Sequence, residues 1–211
     1  MDMQYRRLLC LVASVIFIAA SGCNRTFPAI STQRTFFSQP SAAAGTFTVD
    51  ADYLGNSIYP SVQAIRCFVP SWSQRQLKVV LDLHCPHISG KYNEVIYIVG
   101  SSTPATWQQQ KEFTAVLESV CEEPLPYRAE SSLPFGTAWN TAENYGEYKS
   151  CGRWGAEQLG IRLATTIEIP YANVGVAVVT SDNARTFGHD LARALWRYLE
   201  SGNEQSGINN R

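Results

Sequence analysis

The sequence has no excess of charge of either sign and no long run of basic residues. Its 211 residues include 17 Lys and Arg against 18 Asp and Glu, so the net charge is −1 at pH 7. A nucleic-acid-binding protein or a polybasic membrane-binding segment needs clustered cations, and the sequence therefore excludes both as the main function. A hydrophobic content of 45% with 11% aromatic residues is instead typical of one globular domain.

The sequence also lacks an apolar run of the roughly 20 residues that span a bilayer as a helix. The longest run, from Leu8 to Ala20, follows Arg6 and Arg7 and precedes Ser21-Gly22-Cys23. This order is typical of an export signal, and its end resembles a bacterial lipoprotein signal, in which the cysteine becomes lipidated. We therefore predict an exported protein of the cell envelope, anchored to the membrane through a lipid on Cys23. The alternative is an ordinary cleaved signal and a periplasmic or secreted protein.

No CxxC pair is present, which argues against a structural zinc knuckle. Four cysteines follow Cys23 in the sequence, at positions 67, 85, 121 and 151. In an oxidising compartment they could form one or two disulfides, and three pairings are possible. The spacing does not select one of them.

Composition divides the chain into four segments. Residues 1–22 are the predicted export signal, and residues 23–56, rich in Ser, Thr, Ala and Gln, suit a tether that leads into the domain. Residues 57–201 carry the periodic patterns of a folded domain, and residues 202–211 suit a disordered tail. We find no internal repeat.

Periodicity predicts alternating helices and strands in the folded segment. The expected helices cover residues 60–69, Pro104 to near Glu123, and the apolar stripe from Phe187 to Leu199. The expected strands are the apolar runs at 77–83, 94–99 and 163–170. Residues 127–160 are aromatic, rich in Gly and Ser, and aperiodic, which is typical of a functional loop. The alternation indicates the α/β class.

Two ionisable residues lie where predicted strands run out. His84 follows the run from Val79 to Leu83, and Glu168 lies in the run from Thr165 to Ile169. Ligands of open α/β sheets bind at the carboxyl ends of strands, so both are candidate site residues. A hydrogen-bonded structural imidazole and a solvent-facing, ion-paired glutamate are the alternatives.

The residues around these two resemble motifs of the carboxypeptidase A-like zinc metallocarboxypeptidases: LDLHCP from Leu81 to Pro86, and TIEIPY from Thr166 to Tyr171. The resemblance implies a mixed, mostly parallel sheet flanked by helices, a truncated fold that corresponds to the C-terminal half of the family domain. It implies that His84 is a zinc ligand and Glu168 the general base and acid. The implied reaction is hydrolysis of the C-terminal amino acid from a peptide.

The family also has a tyrosine on a mobile loop that contacts the substrate near its C-terminus. Tyr145, between Asn144 and Gly146, matches that tyrosine best by its distances along the sequence to Trp154 and Glu168. The resemblance therefore implies a substrate-binding role for Tyr145. Tyr148 is the alternative.

The sequence departs from the family in the motifs that precede His84. The chain has three histidines, and neither His87 nor His189 is followed three residues later by a glutamate, so the His-x-x-Glu zinc motif is missing. The Asn-Arg pair that grips the substrate carboxylate is missing as well. A weak local metal site of His84, Cys85 and His87 is a further hypothesis.

We therefore expect a zinc metallocarboxypeptidase-like hydrolase with impaired activity. The alternative is a non-catalytic protein of the envelope that binds peptides or has a structural role. A sheet without its remaining strands has an open edge, so we also expect self-association.

Overall fold

The computed structural model describes residues 14–19, 53–54, 59–87, 90–122, 124–146 and 148–208. Cys23 and most of the predicted tether lie outside the described residues. The strands are β1 (Ser14–Ala19), β2 (Leu77–His84), β3 (Tyr97–Val99), β4 (Leu163–Glu168), β5 (Asn173–Val174) and β6 (Ala177–Val178). The helices are α1 (Pro60–Ser73), α2 (Pro104–Val120), α3 (Ala142–Tyr145), α4 (Cys151–Ala156) and α5 (Ser181–Ile208), and a 3-10 turn spans Ala129–Ser131.

The main sheet is mixed and has the strand order β1-β2-β4-β3. Strands β2 and β4 are parallel, whereas β1 pairs antiparallel with β2 and β3 pairs antiparallel with β4. The α/β class and the mixed sheet are confirmed. The expectation of a mostly parallel sheet is wrong for the described strands, because the described residues between β2 and β3 (85–87 and 90–96) include no helix that could return the chain to the opposite edge.

Two of the predicted helices begin at a proline, whereas α5 begins at Ser181. Pro60 and Pro104 occupy the first turns of α1 and α2, where the missing N–H has no intrahelical partner to lose. Helix α1 continues four residues beyond the predicted end, and α2 ends three residues before Glu123. Helix α5 extends to Ile208, into the segment where the sequence predicts a tail.

The sheet is covered on both faces. On one face Val79, Leu81 and Ile167 belong to a core with residues of α2 and α5 such as Phe113 and Leu191, all less than 5% exposed. On the other face, a smaller core joins buried residues of β2 and β4 to α1 and α4, namely Val62, Val69, Val80, Cys151, Trp154 and Ala164. This second face also carries the candidate site, because β2 and β4 end there in polar residues.

The aperiodic stretch 127–160 packs against the sheet as short elements rather than as one open loop. It includes the 3-10 turn, α3 and α4, and Leu133 bonds to the backbone of Ile98 and Gly100 beside β3. Within the described residues, no helix combines the length and hydrophobicity needed to cross a bilayer.

Candidate functional site

The two motif residues meet at one edge of the sheet. In the parallel pairing of β2 with β4, His84 lies directly opposite Glu168. Tyr97, the first residue of β3, lies opposite Glu168 on its other side. The site is therefore built on the carboxyl ends of β2 and β4, as the sequence predicts.

Asp82 orients the imidazole of His84. Residues two apart on a strand share a face, and Asp82 Oδ1 lies 2.8 Å from His84 Nδ1. The Asp82 side chain is 3% exposed, and its Oδ2 accepts a hydrogen bond of 3.5 Å from the Thr166 hydroxyl on β4. The contact with Asp82 raises the pKa of His84 more than any other interaction, burial opposes it, and the charge of Glu168 adds to the increase.

Glu168 is 7% exposed, and its Oε2 has no hydrogen-bond partner within the described part of the chain. Burial raises the pKa of this carboxyl to about 7, the negative charge of Asp82 adds to the increase, and His84 acts in the opposite direction. A carboxyl that titrates near neutrality can both accept and deliver a proton at physiological pH.

Tyr145 lies at the end of α3, half-buried, and close enough to Glu168 for the two groups to interact electrostatically. Burial raises the pKa of its phenol, and the guanidinium of Arg153, which lies 4.8 Å from the ring centroid, opposes that increase. Tyr148, the alternative, is 43% exposed. The geometry therefore favours Tyr145 over Tyr148 as the tyrosine of this site.

The described residues do not fit a catalytic zinc ion. Such an ion takes about three protein ligands, and among these residues no group of three His, Cys, Asp or Glu side chains is close enough to hold a metal. His84 has Asp82 on one ring nitrogen, and Asp82 also contacts Thr166. His87 and Cys85 are exposed at the loop that follows, and His189 is exposed on α5. Zinc binding stays a prediction that needs ligands from elsewhere.

A buried thiol and phenol lie behind Asp82. Cys151, the first residue of α4, is 4% exposed and contacts Tyr53, and both interact with the charge of Asp82. Burial raises the pKa of Cys151 to about 12, so the thiol is inert near neutrality. The structure has no disulfide among Cys67, Cys85, Cys121 and Cys151.

Sequence reasoning missed Asp82, Tyr97 and Arg153. The alternation of β2 was a usable signal for Asp82, because residues 82 and 84 must share a face. The position of Tyr97 depends on the antiparallel direction of β3, and that of Arg153 on how α4 packs, so neither follows from a local pattern.

Comparisons with protein-family models, with curated proteins and with solved structures found no match. The family resemblance therefore depends on the two motifs and on Tyr145 alone.

Proposed function

We propose that this protein recognises the C-terminal end of a peptide at the edge formed by His84 and Glu168, and that it is related to the carboxypeptidase A-like zinc metallocarboxypeptidases. Their reaction is hydrolysis of the terminal peptide bond. We propose this activity for the site once the missing zinc ligands are supplied. The proposal includes the finer fold assignment, a partial carboxypeptidase-like domain on residues 57–201.

One observation carries this proposal: the register that sets His84 opposite Glu168 on adjacent parallel strands. The two residues are far apart along the chain, and both belong to the motifs that carry the resemblance. Tyr145, the third residue implied by the resemblance, interacts with the same carboxyl.

The chain's own groups suit work on an amide bond. Glu168, with a pKa near 7, can take a proton from an attacking water and return it to the leaving amine. Asp82 holds the His84 ring in one orientation, which leaves the other ring nitrogen for a ligand. Tyr145 offers a phenol that can donate a hydrogen bond to the peptide or its carboxylate.

A non-catalytic peptide-binding protein is the second candidate. The observation that favours it is the incomplete ligand set, since the described residues supply one imidazole at this edge. In that case the same surface binds a peptide terminus without cleaving it.

Binding and cleavage of a fluorescent peptide separate these functions. The full chain and its Glu168→Gln and His84→Ala variants are mixed with the free-acid and the C-terminally amidated peptide, with and without added zinc. We expect the wild type to bind the free acid more tightly than the amide. Release of the terminal residue with zinc, lost in Glu168→Gln, supports the enzyme, whereas binding without release supports the second candidate. Equal or absent binding of the two peptides overturns the proposal.

A further inference from the structure

A groove of about 570 Å³ opens beside the candidate site, between the segment that joins β2 to β3 and the turn at residues 137–140. It adjoins the site because Tyr97, which lines the groove, lies opposite Glu168 in the pairing of β3 with β4. Small-molecule sites in proteins have volumes of roughly 300–1,000 Å³. This first groove therefore has room for a ligand of one or two rings.

The lining of the first groove combines aromatic rings with hydrogen-bonding side chains, and none of the described residues that line it is a carboxylate. The rings belong to Tyr92, Tyr97 and Trp139, and the hydrogen-bonding groups to His87, Lys91 and Asn93. A ligand that fits this lining has an apolar surface and a polar periphery. A sugar ring has both, because its C–H groups carry partial positive charge that suits the negative face of an aromatic ring, and its hydroxyls donate and accept hydrogen bonds.

Trp139 is held in place before any ligand arrives. It lies in a turn closed by a bond of 3.0 Å from the Asn140 N–H to the Thr137 carbonyl, and the Asn140 side chain donates to two further backbone carbonyls at 2.9 and 3.0 Å. The residue before it, Ala138, has a φ of +47°, a conformation that strains a residue with a Cβ. Such strain is typical of functional sites, and a fixed ring loses little freedom on binding.

The other two rings do not form a slot for a flat aromatic ligand. The rings of Tyr92 and Tyr97 pack on each other, with centroids 5.4 Å apart and planes tilted by 50°. Burial raises the pKa of the Tyr97 phenol, and a hydrogen-bonding interaction with Trp139 opposes this increase, which places the indole N–H toward the phenol oxygen. Offset stacking of a flat ligand between two rings requires nearly parallel planes, so this arrangement favours a sugar ring over an aromatic one.

A second groove, of about 390 Å³, shares Lys91 and Tyr92 with the first. Its lining is rich in hydroxyl groups and has one carboxylate, namely Ser131, Ser132, Thr137 and Glu130. Lys91 Nζ lies 5.4 Å from the centroid of the Tyr92 ring, and Lys91 has no ion-pair partner within the described residues. Two polar grooves that meet at one ring suit a ligand that repeats along its length.

We infer that the two grooves bind a linear saccharide, with one sugar ring against Trp139, the chain crossing Tyr92, and Lys91 donating to its hydroxyl or carboxylate groups. This saccharide site goes beyond the proposed function and is independent of it, because Glu168 and His84 line neither groove.

Three hexasaccharides test the site: cellohexaose, its 2-acetamido counterpart chitohexaose, and the acidic hexamer of galacturonic acid. Their affinities for the full chain are measured by isothermal titration calorimetry, beside Trp139→Ala, Trp139→Phe, Lys91→Gln and Trp196→Ala. The last is the control, since Trp196 is 66% exposed on α5 and lines neither groove.

We expect the wild type to bind at least one hexamer. Trp139→Ala should weaken that binding about ten-fold or more, Trp139→Phe should weaken it less, and the control should bind as the wild type does. A preference for the acidic hexamer that Lys91→Gln removes identifies an acidic saccharide. An equal effect of Lys91→Gln on all hexamers identifies a neutral one.

The indole N–H signals in NMR spectra provide a second measurement that does not require Trp139→Ala to fold. The signal missing in Trp139→Phe identifies Trp139, and it should shift saturably with the bound hexamer while the signal of Trp196 does not. Glu168→Gln should bind the hexamers as the wild type does, so loss of the saccharide site and loss of the peptide site are distinguishable.

Four outcomes overturn the saccharide site. They are no binding of any hexamer, wild-type affinity in a folded Trp139→Ala protein, equal loss in Trp196→Ala, and a shift of the Trp139 signal with N-acetyltyrosinamide but with none of the hexamers. The last outcome would identify an aromatic ligand instead.

Discussion

Glu168 couples the stability of the protein to pH. Its pKa is about 7 in the folded chain against an ordinary value of 4.5, so between these values the folded state holds a proton that the unfolded state has released. The contribution of Glu168 to stability therefore falls as pH rises through that window. Above about pH 7 the buried carboxylate is ionised, and the full cost of burying its charge is present. The raised pKa of His84 acts in the same direction, since its contribution is complete below about pH 6.5 and is lost as pH rises through the folded pKa.

We predict that Glu168→Gln flattens this pH dependence. Glutamine cannot ionise, so between pH 5 and pH 8 the free energy of unfolding of the variant should rise relative to wild type by on the order of 1–3 kcal/mol. Urea unfolding across that range measures the difference. The control is Glu200→Gln, at an exposed position of α5, which should follow the wild-type curve. Parallel curves for Glu168→Gln and wild type would show that Glu168 ionises normally.

Asp82→Asn should lower the pKa of His84, because the contact of Asp82 with Nδ1 is the largest cause of its increase. An NMR titration of the imidazole signals measures the change, and the signal that disappears in His84→Gln identifies His84. His84→Ala should also lower the free energy of unfolding by about 1–3 kcal/mol, since it removes the partner of the buried Asp82 Oδ1 and leaves only the Thr166 hydroxyl on Oδ2. An unchanged His84 titration in Asp82→Asn would contradict the orienting role.

The site was predictable from sequence where a strand pattern ends in a polar residue. His84 and Glu168 follow from apolar runs, because such runs must be buried and their ends must meet at an edge. Arg153 and Asn140 were out of reach, since their positions depend on how the aperiodic stretch 127–160 folds back onto β3 and β4. No local periodicity encodes that packing.

At the scale of elements, α4 approaches β2 closely because residue 155 has no side chain. A Cβ at Gly155 would lie 2.8 Å from Val80 Cγ1 and 3.0 Å from its Cβ. We predict that Gly155→Ala lowers the free energy of unfolding by about 1–3 kcal/mol, because α4 must move off the sheet. Thermal or urea unfolding measures this change in stability.

Two further variants check that explanation. Gly188→Ala on α5 meets nothing within 4 Å, so it should stabilise by up to about 1 kcal/mol through helix propensity. Val80→Ala should make Gly155→Ala less costly, because it removes the atoms that clash. Additive effects of the two substitutions would contradict the steric explanation.

The direction of β3 could not be predicted from the sequence. The apolar runs located β2, β3 and β4, but the pairing direction depends on the connections between them. Strand β3 starts beside Glu168, near the carboxyl end of β2, and runs antiparallel to β4. A helix-like pattern between the strands would have been the signal for a parallel crossover.

At the scale of the whole molecule, burial sorts the four described cysteines into two classes. Cys67 and Cys85 are exposed, whereas burial raises the pKa of Cys121 and of Cys151 to about 12. We predict that an alkylating reagent labels Cys67 and Cys85 first, and that denaturation equalises all four rates. Peptide mapping by mass spectrometry identifies the sites. Early labelling of Cys151, or a disulfide in the native protein, would contradict this arrangement.

Removal of residues 1–22 should change the oligomeric state. The outer edge of β2 is paired with Ser14–Ala19 in this structure, and a processed chain would present that edge unpaired. We expect the shortened chain to self-associate while the full chain does so less. Size-exclusion chromatography with light scattering, at matched concentrations, compares them. A monomeric shortened chain would show that the edge is protected in another way.

The antiparallel pairing of β1 with β2 also makes the order of two events decisive. The six residues of β1 lie inside the predicted export signal, which must remain accessible until the chain is translocated and processed. A chain that completes this sheet first withdraws its signal into the fold. A chain that is processed first must fold with β2 at the edge. The relative speed of folding and export would therefore decide which of two sheets the protein forms.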